Sequence, residues 1–265
     1  MAMTQTLFDV VLLAGQDPGH PDPLAVENGV ANKVLIPVAN QPMIEHVLEA
    51  LAGSPMIDHI LIVGLEAYDR ISTSGKIYYL SGQGTIFDNV ISGFAWLAER
   101  VSPARHALVL SGDLPLITSA QVDWFLHACQ PLDKDVYWGI VERTTMEKTF
   151  PESRRSYLPL IEGRFCNGGI YLAKIEAALR RQALIGQLIE QRKHIFRQLW
   201  MLGPGVILKF LLRQLQISDL VGVMERLLGV RGEVVILPFA ETGMDVDKPH
   251  QLAQVRAYLD RFPRN

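Results

Sequence analysis

The chain has 265 residues, of which 49% are hydrophobic and 20% are charged. This length can bury a sizeable core, and this composition excludes an intrinsically disordered chain. The net charge of −3 excludes a general nucleic-acid binder, which needs an excess of basic residues. Two cysteines, Cys129 and Cys166, exclude a disulfide framework and lead us to expect a cytoplasmic protein.

The first part of the chain alternates short apolar runs with helix-like segments. Apolar runs without polar alternation are typical of strands buried on both faces, as in a parallel sheet. We therefore predict βαβ units and an α/β fold, with a mixed, mostly parallel sheet flanked by helices. In chain order the segments are FDVVLLA, MIEHVLEALA, IDHILIVGL, KIYYL, FDNVISGFAWLAERV, HALVLSGD and SAQVDWFLHAC.

The pattern changes after about Lys134. Two strand-like runs, DVYWGIV and RFCNGGIYLAK, flank a polar loop, and a helical stretch follows from Lys174 to about Gly229. Its part from Lys174 to Arg213 carries a net charge of +6, which leaves −9 for the rest of the chain. We predict a single domain, 1–265, with a helical insertion at about 174–230, then a last strand, EVVILPF, and a C-terminal helix.

The first apolar run ends at Ala14-Gly15, and a polar loop without Walker or Rossmann glycine spacing leads from there to Lys33. A glycine at a strand end lets backbone N–H groups come close to a phosphate or a base. A lysine beyond the loop can supply positive charge to phosphate oxygens. The alternative interpretation is a surface loop with a solvated lysine.

Asp113 follows the strongly apolar strand HALVLSG. A carboxylate that emerges from a buried strand usually has a cation or strong donors as its partner, because its desolvation is costly. Mg²⁺ fits this position, since one or two carboxylates plus phosphate oxygens and waters commonly hold it. The alternative is a helix N-cap, for which Thr118 or Ser119 is better placed.

Two more carboxylates, Asp245 and Asp247, flank a single residue in GMDVDKP. In an extended segment this spacing points both side chains to one side. Asp247 also suits the N-cap of the last helix, because it precedes Lys248 and Pro249. Together with Asp113, Asp247 completes the pair of carboxylates that an Mg²⁺–nucleotide site needs.

A second glycine-rich turn, YLSGQGTIFDNVISGF, enters a helix at 79–94. Gly82 and Gly84 permit close backbone approach, while Gln83 and Asn89 carry amides that could read a base edge. The structural alternative is that the turn only starts the helix, with Thr85 as N-cap.

These segments, in this order, resemble the nucleotidyltransferases with a GT-A-like (Rossmann-like) fold. More narrowly, they are similar to the MobA-like group, which includes molybdenum-cofactor guanylyltransferase and the sugar-phosphate and methylerythritol-phosphate cytidylyltransferases. The resemblance covers about 8–120, 165–172 and 233–259, and not the helical insertion. It rests on LLAG followed by NKVLIPVANQPMIEHVLEAL, then SGQGT, SGDLPLI, CNGGIYL and MDVDKPHQL.

The resemblance implies an Mg²⁺-dependent enzyme that transfers NMP from an NTP, CTP or GTP above others, to a phosphorylated acceptor and releases pyrophosphate. Lys33 and Asp113 would be the catalytic residues, with Lys33 neutralising charge on the triphosphate. Asp113 and Asp247 would hold Mg²⁺, with Asp245 as a further ligand candidate.

The same resemblance implies contacts to the two substrates. Asn167 and Gly168 would face the acceptor. The strand ends and glycine turns would bind the nucleotide through Leu13, Ala14, Gly15, Gln16, Lys33, Gly82, Gln83, Gly84, Asn89 and Gly112.

One departure from the group leaves alternatives open. Many relatives have a Gly-x-Gly-x-Arg-Met loop whose arginine meets the triphosphate, whereas the loop between Gly15 and Lys33 has no arginine. An arginine from elsewhere, for instance from ESRRS, could substitute. The alternatives are a catalytically inactive nucleotide-binding regulatory or scaffold protein and a GT-A glycosyltransferase that uses an NDP-sugar. Glycosyltransferases usually place Asp-x-Asp where this chain has Gly112-Asp113-Leu114.

The helical insertion combines basic and apolar residues, which allows two interpretations. It could cap the sheet or form a homodimer interface. It could also touch an anionic membrane surface, with a lipid-linked rather than a small-molecule phosphorylated acceptor.

Overall fold

The computed structural model describes residues 6–16, 19–65, 77–102, 105–190 and 203–263. The strands are β1 Phe8–Leu13, β2 Pro37–Val38, β3 Gln41–Pro42, β4 Ile57–Val63, β5 Ile77–Leu80, β6 His106–Ser111, β7 Val136–Glu142, β8 Leu158–Leu160, β9 Gly163–Lys174 and β10 Gly232–Leu237. The helices are α1 Pro23–Glu27, α2 Met43–Ala52, α3 Ile86–Ala98, α4 Ser119–Ala128, α5 Arg143–Thr149, α6 Ile175–Glu190, α7 Pro204–Leu211, α8 Ile217–Leu228 and α9 Pro249–Arg261. Short 3₁₀ helices occupy Lys33–Leu35 and Glu241–Gly243.

The main sheet has the strand order β10-β7-β9-β6-β1-β4-β5, with β8 paired to β9. β1 pairs in parallel with both β4 and β6, and β7 pairs in parallel with β10. Within the described ranges only β9 runs against its neighbours in this sheet, β6, β7 and β8. The prediction of a mixed, mostly parallel sheet flanked by helices is confirmed.

The core lies on both faces of the sheet, because β1 and β6 consist almost entirely of apolar residues. Along β1, Val10 and Leu12 pack towards α2, α4 and α9, whereas Val11 packs towards α3. All three side chains are fully buried, and each such side chain stabilises the fold by about 1.5–3 kcal/mol relative to exposure. The continuous apolar runs therefore fix which strands occupy the centre of the sheet.

The parallel strands end together, and backbone hydrogen bonds join their ends. Ala14 N donates to Val63 O at 2.9 Å, and Gly112 N donates to Leu13 O at 2.8 Å. The residues that follow β1, β4 and β6 consequently meet at one edge of the sheet, where ligands of open α/β sheets bind.

The predicted insertion contains α6, α7 and α8, and its residues 191–202 lie outside the described residues. On and directly after α7, four large apolar side chains are exposed: Leu208, Phe210, Leu211 and Leu212. In the described part of the chain, the helices are all too short or too polar to cross a bilayer. The division into one domain with an insertion remains a prediction.

Candidate nucleotide and metal site

Asp113 lies two residues beyond β6 and is buried, with 9% of its side chain exposed. Its Oδ2 lies 2.6 Å from the Lys33 ammonium. Its Oδ1 is also buried and accepts no hydrogen bond from the residues that the structure describes. Thr118, and not Asp113, caps α4, accepting from Gln121 N in a capping box. Since a buried carboxylate oxygen normally has a partner, Asp113 Oδ1 points to a ligand.

Lys33 is positioned by the residue before it. Asn32 donates from Nδ2 to Ala14 O at 2.7 Å and accepts from Val34 N at 3.1 Å, which ties the start of the 3₁₀ helix to the end of β1. From there the Lys33 Nζ reaches Asp247 Oδ1 at 2.5 Å as well as Asp113. The loop of polar residues therefore brings this lysine to the strand ends, and the interpretation as a solvated surface lysine is wrong.

The segment that carries Asp245 and Asp247 passes directly beside Asp113. Between them, Val246 is fully buried and donates its N–H to Asp113 O at 3.1 Å. Asp247 pairs with Lys33. Asp245 pairs instead with Arg155 of the ESRRS segment, whose side chain is only 12% exposed. Asp247 is not the N-cap of α9, since Lys248 occupies that position.

Burial and neighbouring charges shift the pKa values of Lys33, Asp247 and Asp245. Burial acts to lower the pKa of Lys33, but the charges and hydrogen bonds of Asp113 and Asp247 raise it above its usual value. Burial acts to raise the pKa of Asp247, yet Lys33 holds it below the usual value. For Asp245, burial and the charges of Asp113 and Asp247 outweigh Arg155, so its pKa is raised. The five groups have a formal net charge of −1 when ionised, which favours a cation.

This donor set fits Mg²⁺. Asp113 offers a buried oxygen without a protein donor, and Asp247, which is half exposed, offers a second carboxylate beside it. One or two carboxylates, with waters and phosphate oxygens, are the usual protein ligands of Mg²⁺. Asp245 is engaged by Arg155, and its predicted role as a further ligand remains untested.

Another group of three acidic or histidine side chains, Asp9, Asp58 and His59, has ligand atoms within 4.8 Å of one another. These residues lie at the beginnings of β1 and β4, the edge opposite Asp113. Asp9 has His59 Nδ1 at 2.8 Å and Arg105 Nη1 at 3.3 Å. The protein's own side chains therefore partner this buried carboxylate, and no metal is needed there.

Glycines let three chain segments close together beside the site. Gly64, after β4, has φ +93°, and a Cβ there would lie 2.2 Å from Gly15 Cα. A Cβ on Gly15 would lie 2.6 Å from Asn89 Nδ2. Asn89 is buried and accepts from Gln83 N at 2.7 Å. Asn89 thus fixes the 82–85 turn against the end of β1, and its predicted contact with a base remains untested.

Other predicted nucleotide-binding residues surround this junction. Gly82, Gln83 and Gly84 are exposed, and the Gln83 amide donates to Ser81 O at 3.0 Å. Gln16 donates to Ala31 O, while its buried Oε1 accepts no hydrogen bond from described residues. Leu13, Ala14 and Gly15 lie at the end of β1, and Gly112 follows β6, the strand on the other side of β1 from β4 and β5.

The two predicted acceptor residues lie on β9, on the other side of Asp113. Asn167 is exposed, and its Oδ1 accepts from Trp138 Nε1 at 3.1 Å and Tyr171 OH at 2.8 Å. Gly168 is buried, and a Cβ there would lie 2.5 Å from Leu237 Cδ1. Packing therefore requires a glycine at position 168. The contact of Asn167 or Gly168 with an acceptor remains a prediction.

Three residues of the site were not identified from the sequence. Arg155 was one of two arginines in ESRRS and had no signal to distinguish it from Arg154. Asn32 precedes Lys33 and could have been predicted from its N-capping type before a short helix. Gly64 ends IDHILIVG. A glycine at a strand end was the reason for selecting Gly15, and the same reasoning would have selected Gly64.

The comparisons with known proteins agree with this geometry. The family model of the MobA-like NTP transferase domain matches residues 27–201. Bifunctional protein GlmU of Agrobacterium fabrum is 38% identical over 96 residues, and GlmU of Allorhizobium ampelinum is 37% identical over 120 residues. These alignments cover 35% and 44% of this chain, but only 21% and 25% of the GlmU chains.

Solved structures extend the similarity to nearly the whole chain. A hypothetical transferase of Thermus thermophilus superposes with a TM-score of 0.80 and 27% identity, over 93% of this chain and 100% of that one. The 4-diphosphocytidyl-2C-methyl-D-erythritol synthase of Anaerococcus prevotii gives a TM-score of 0.58 at 12% identity over 97% of both chains, which shows the fold. With the fold, the arrangement of strand ends and the family match in agreement, the chain belongs to the MobA-like NTP transferase family of nucleotidyltransferases.

Proposed function

We propose that the protein transfers an NMP group from a nucleoside triphosphate to a phosphorylated acceptor, with release of pyrophosphate. The observation that carries this proposal is the Lys33 ammonium held between Asp113 and Asp247 at the strand ends, 2.6 and 2.5 Å from their oxygens. A cation beside two carboxylates suits a polyanionic substrate that arrives with its own divalent ion.

In the reaction, a phosphate oxygen of the acceptor attacks the α-phosphorus in line, and the bond to the β-phosphate oxygen breaks. A phosphate monoester is largely a dianion at neutral pH, so the chain need not supply a general base. Asp113 and Asp247 would hold Mg²⁺, which when bound neutralises charge on the phosphates. Lys33 would then release its carboxylates and contact the triphosphate.

Arg155 supports an active enzyme rather than an inactive nucleotide-binding protein. The loop after β1 has no arginine, but Arg155 lies beside Asp245 and so stands within the same group of charges. A guanidinium can bind phosphate oxygens through two parallel hydrogen bonds. We propose that it supplies the phosphate contact that the loop arginine makes in many relatives.

The donor nucleotide is proposed to be CTP or GTP. One structural neighbour, a CMP:2-keto-3-deoxy-manno-octonic acid synthetase, was solved with CTP, at a TM-score of 0.58 and 16% identity. The exposed Gln83 and Gly84 of this chain offer backbone and amide groups that either base could use.

The test is pyrophosphate release from each NTP with a panel of phosphorylated acceptors. Asp113→Asn keeps the shape of the side chain but removes its charge, so we expect at least about a 100-fold loss of rate, as for other electrostatic contacts to a reacting phosphate. Asp133→Asn is the matched control, because Asp133 is half exposed and pairs with Lys134 at the opposite edge of the sheet. Undiminished turnover by Asp113→Asn would remove Asp113 from the mechanism.

A further inference from the structure

A recess lies on one face of the sheet beside the predicted acceptor residue Asn167. Its volume is about 330 Å³, within the usual range of ligand pockets. Asn167 is one of few polar residues around it, and most of the wall is apolar. The wall includes Trp138, Ile140, Leu158, Phe165, Leu220 and Val234.

The recess and the glycine turns, where we expect the nucleotide, lie on opposite sides of Asp113. In the sheet, β6 separates β1, β4 and β5 from β9, β7 and β10. The glycine turns follow β1, β4 and β5, whereas the recess is built on β7, β9 and β10. A nucleotide at the glycine turns therefore leaves the recess open for the second substrate.

A chain of side chains connects the recess to the charged site. Cys166, in the wall of the recess, lies close to Arg155. Arg155 pairs with Asp245, and the next residue, Val246, donates its N–H to Asp113 O at 3.1 Å. One molecule can thus place a phosphate at the charged groups and an uncharged part in the recess.

The lining limits the chemistry of that uncharged part. A sugar ring needs hydrogen-bond partners for each hydroxyl, because an unpaired buried hydroxyl is costly. The wall offers chiefly apolar surface, with Asn167, Cys166, Ser156 and Tyr157 as its polar residues. Burying a hydrocarbon group against this apolar wall removes both surfaces from water, which makes the free energy of binding more favourable.

We propose that the recess binds a hydrocarbon portion of the acceptor, which makes the acceptor an amphiphilic phosphomonoester rather than a simple sugar phosphate. This inference rests on the proposed nucleotidyl transfer, because it assigns the recess to that reaction's acceptor. It narrows the acceptor to molecules that carry an alkyl, prenyl or aryl group near the phosphate.

The experiment is a calorimetric titration of the protein with methyl, butyl and octyl phosphate, each below its micelle concentration. Affinity should rise by about two- to fourfold for each added methylene that becomes buried. In Leu220→Gln this rise should shrink, because a polar group enters the recess. In Leu211→Gln, the same substitution at an exposed position outside the recess, the rise should be as in the wild type.

Val234→Thr is a second, nearly isosteric variant in case Leu220→Gln does not fold. Affinity independent of alkyl length, or an equal rise in all variants, would overturn the proposal. Stabilisation by NTP is measured on the same protein samples. If it persists while the alkyl dependence is absent, the recess assignment has failed and the nucleotidyltransferase proposal stands. If NTP stabilisation is absent, the nucleotidyltransferase proposal itself has failed.

Discussion

Lys33 contacts two carboxylates that come from distant parts of the chain, one after β6 and one before α9. The three groups are adjacent only because the sheet brings the ends of β1 and β6 together and Val246 hydrogen-bonds to Asp113. An ammonium between two carboxylates stabilises both charges in a partly buried place. The two carboxylates are also the proposed ligands of the divalent ion.

The charge of Asp247 predicts how the stability of the fold depends on pH. Lys33 holds the pKa of Asp247 below its usual value of about 3.9. A depressed folded-state pKa stabilises the protein above that pH, and the stabilisation is lost as the pH falls through the folded value. Because Asp247 is half exposed, we expect the free energy of unfolding of wild type to exceed that of Asp247→Asn by only about 1 kcal/mol at pH 7.

Urea unfolding of both proteins at pH 7, 5 and 3 measures this difference. It should be present at pH 7 and 5 and shrink at pH 3. A gap that grew in acid would contradict the assignment of the ion pair to Lys33 and Asp247.

The individual residues show where sequence reasoning succeeds. Asp113 could be predicted because a carboxylate after a fully apolar strand must have a partner. Lys33 followed from its place after a strand-end glycine and from the family resemblance. The partner of Asp245 could not be predicted, because Arg154 and Arg155 are equivalent until the fold turns one side chain inward.

Among the structural elements, the turns after β1, β4 and β5 depend on glycines, which have no side chain. Gly64 has φ +93° and no space for a Cβ beside Gly15, so the two strand ends can approach only if residue 64 is glycine. The three turns therefore form one unit, and Asn89 at the start of α3 joins it to the sheet.

We predict that Gly64→Ala destabilises the fold by about 2–4 kcal/mol, through both the left-handed backbone and the steric conflict. Gly222→Ala is the matched control, because Gly222 lies within α8 and a Cβ there meets no atom within 4 Å. That change should stabilise by about 0.5–1 kcal/mol, as expected for alanine in a helix. Chemical denaturation measures both, and equal effects would contradict the described packing.

Elements were predicted well where hydrophobic runs were long, as for β1, β4, β6 and β9. The last helix was harder, because Asp247 suited its N-cap as well as a metal site. Tertiary contact with Lys33 decided against the cap. Local pattern alone carries no information about a cation more than 200 residues away.

At the scale of the whole molecule, α7 and the residues after it present Leu208, Phe210, Leu211 and Leu212 to solvent. The sequence left three interpretations of the insertion, a cap on the sheet, a homodimer interface and membrane contact, and the described structure tests neither of the last two. The expected cytoplasmic location is likewise a prediction.

Membrane contact and a homodimer predict different outcomes for Leu208→Gln/Leu211→Gln. If the insertion touches a membrane, wild type will sediment with anionic vesicles at low salt, and the double variant will bind several-fold less. If it forms a homodimer, sedimentation velocity will show a dimer that the double variant weakens, with no vesicle binding by either protein. A wild-type monomer without vesicle binding would contradict both interpretations.

We propose that Asp113, Lys33 and Asp247 together form a site for Mg²⁺ and a nucleoside triphosphate. The most direct test is thermal unfolding with CTP, GTP, UTP or ATP, each with and without Mg²⁺, for wild type and Asp113→Asn. A nucleotide at a hundred times its dissociation constant stabilises by about 2.7 kcal/mol, which raises Tm by roughly 5–10 °C in a domain of this size. We predict such a rise with CTP or GTP that requires Mg²⁺ and is lost in Asp113→Asn. No rise with any nucleotide, or an equal rise in the variant, would show that Asp113 is not part of a nucleotide and Mg²⁺ site.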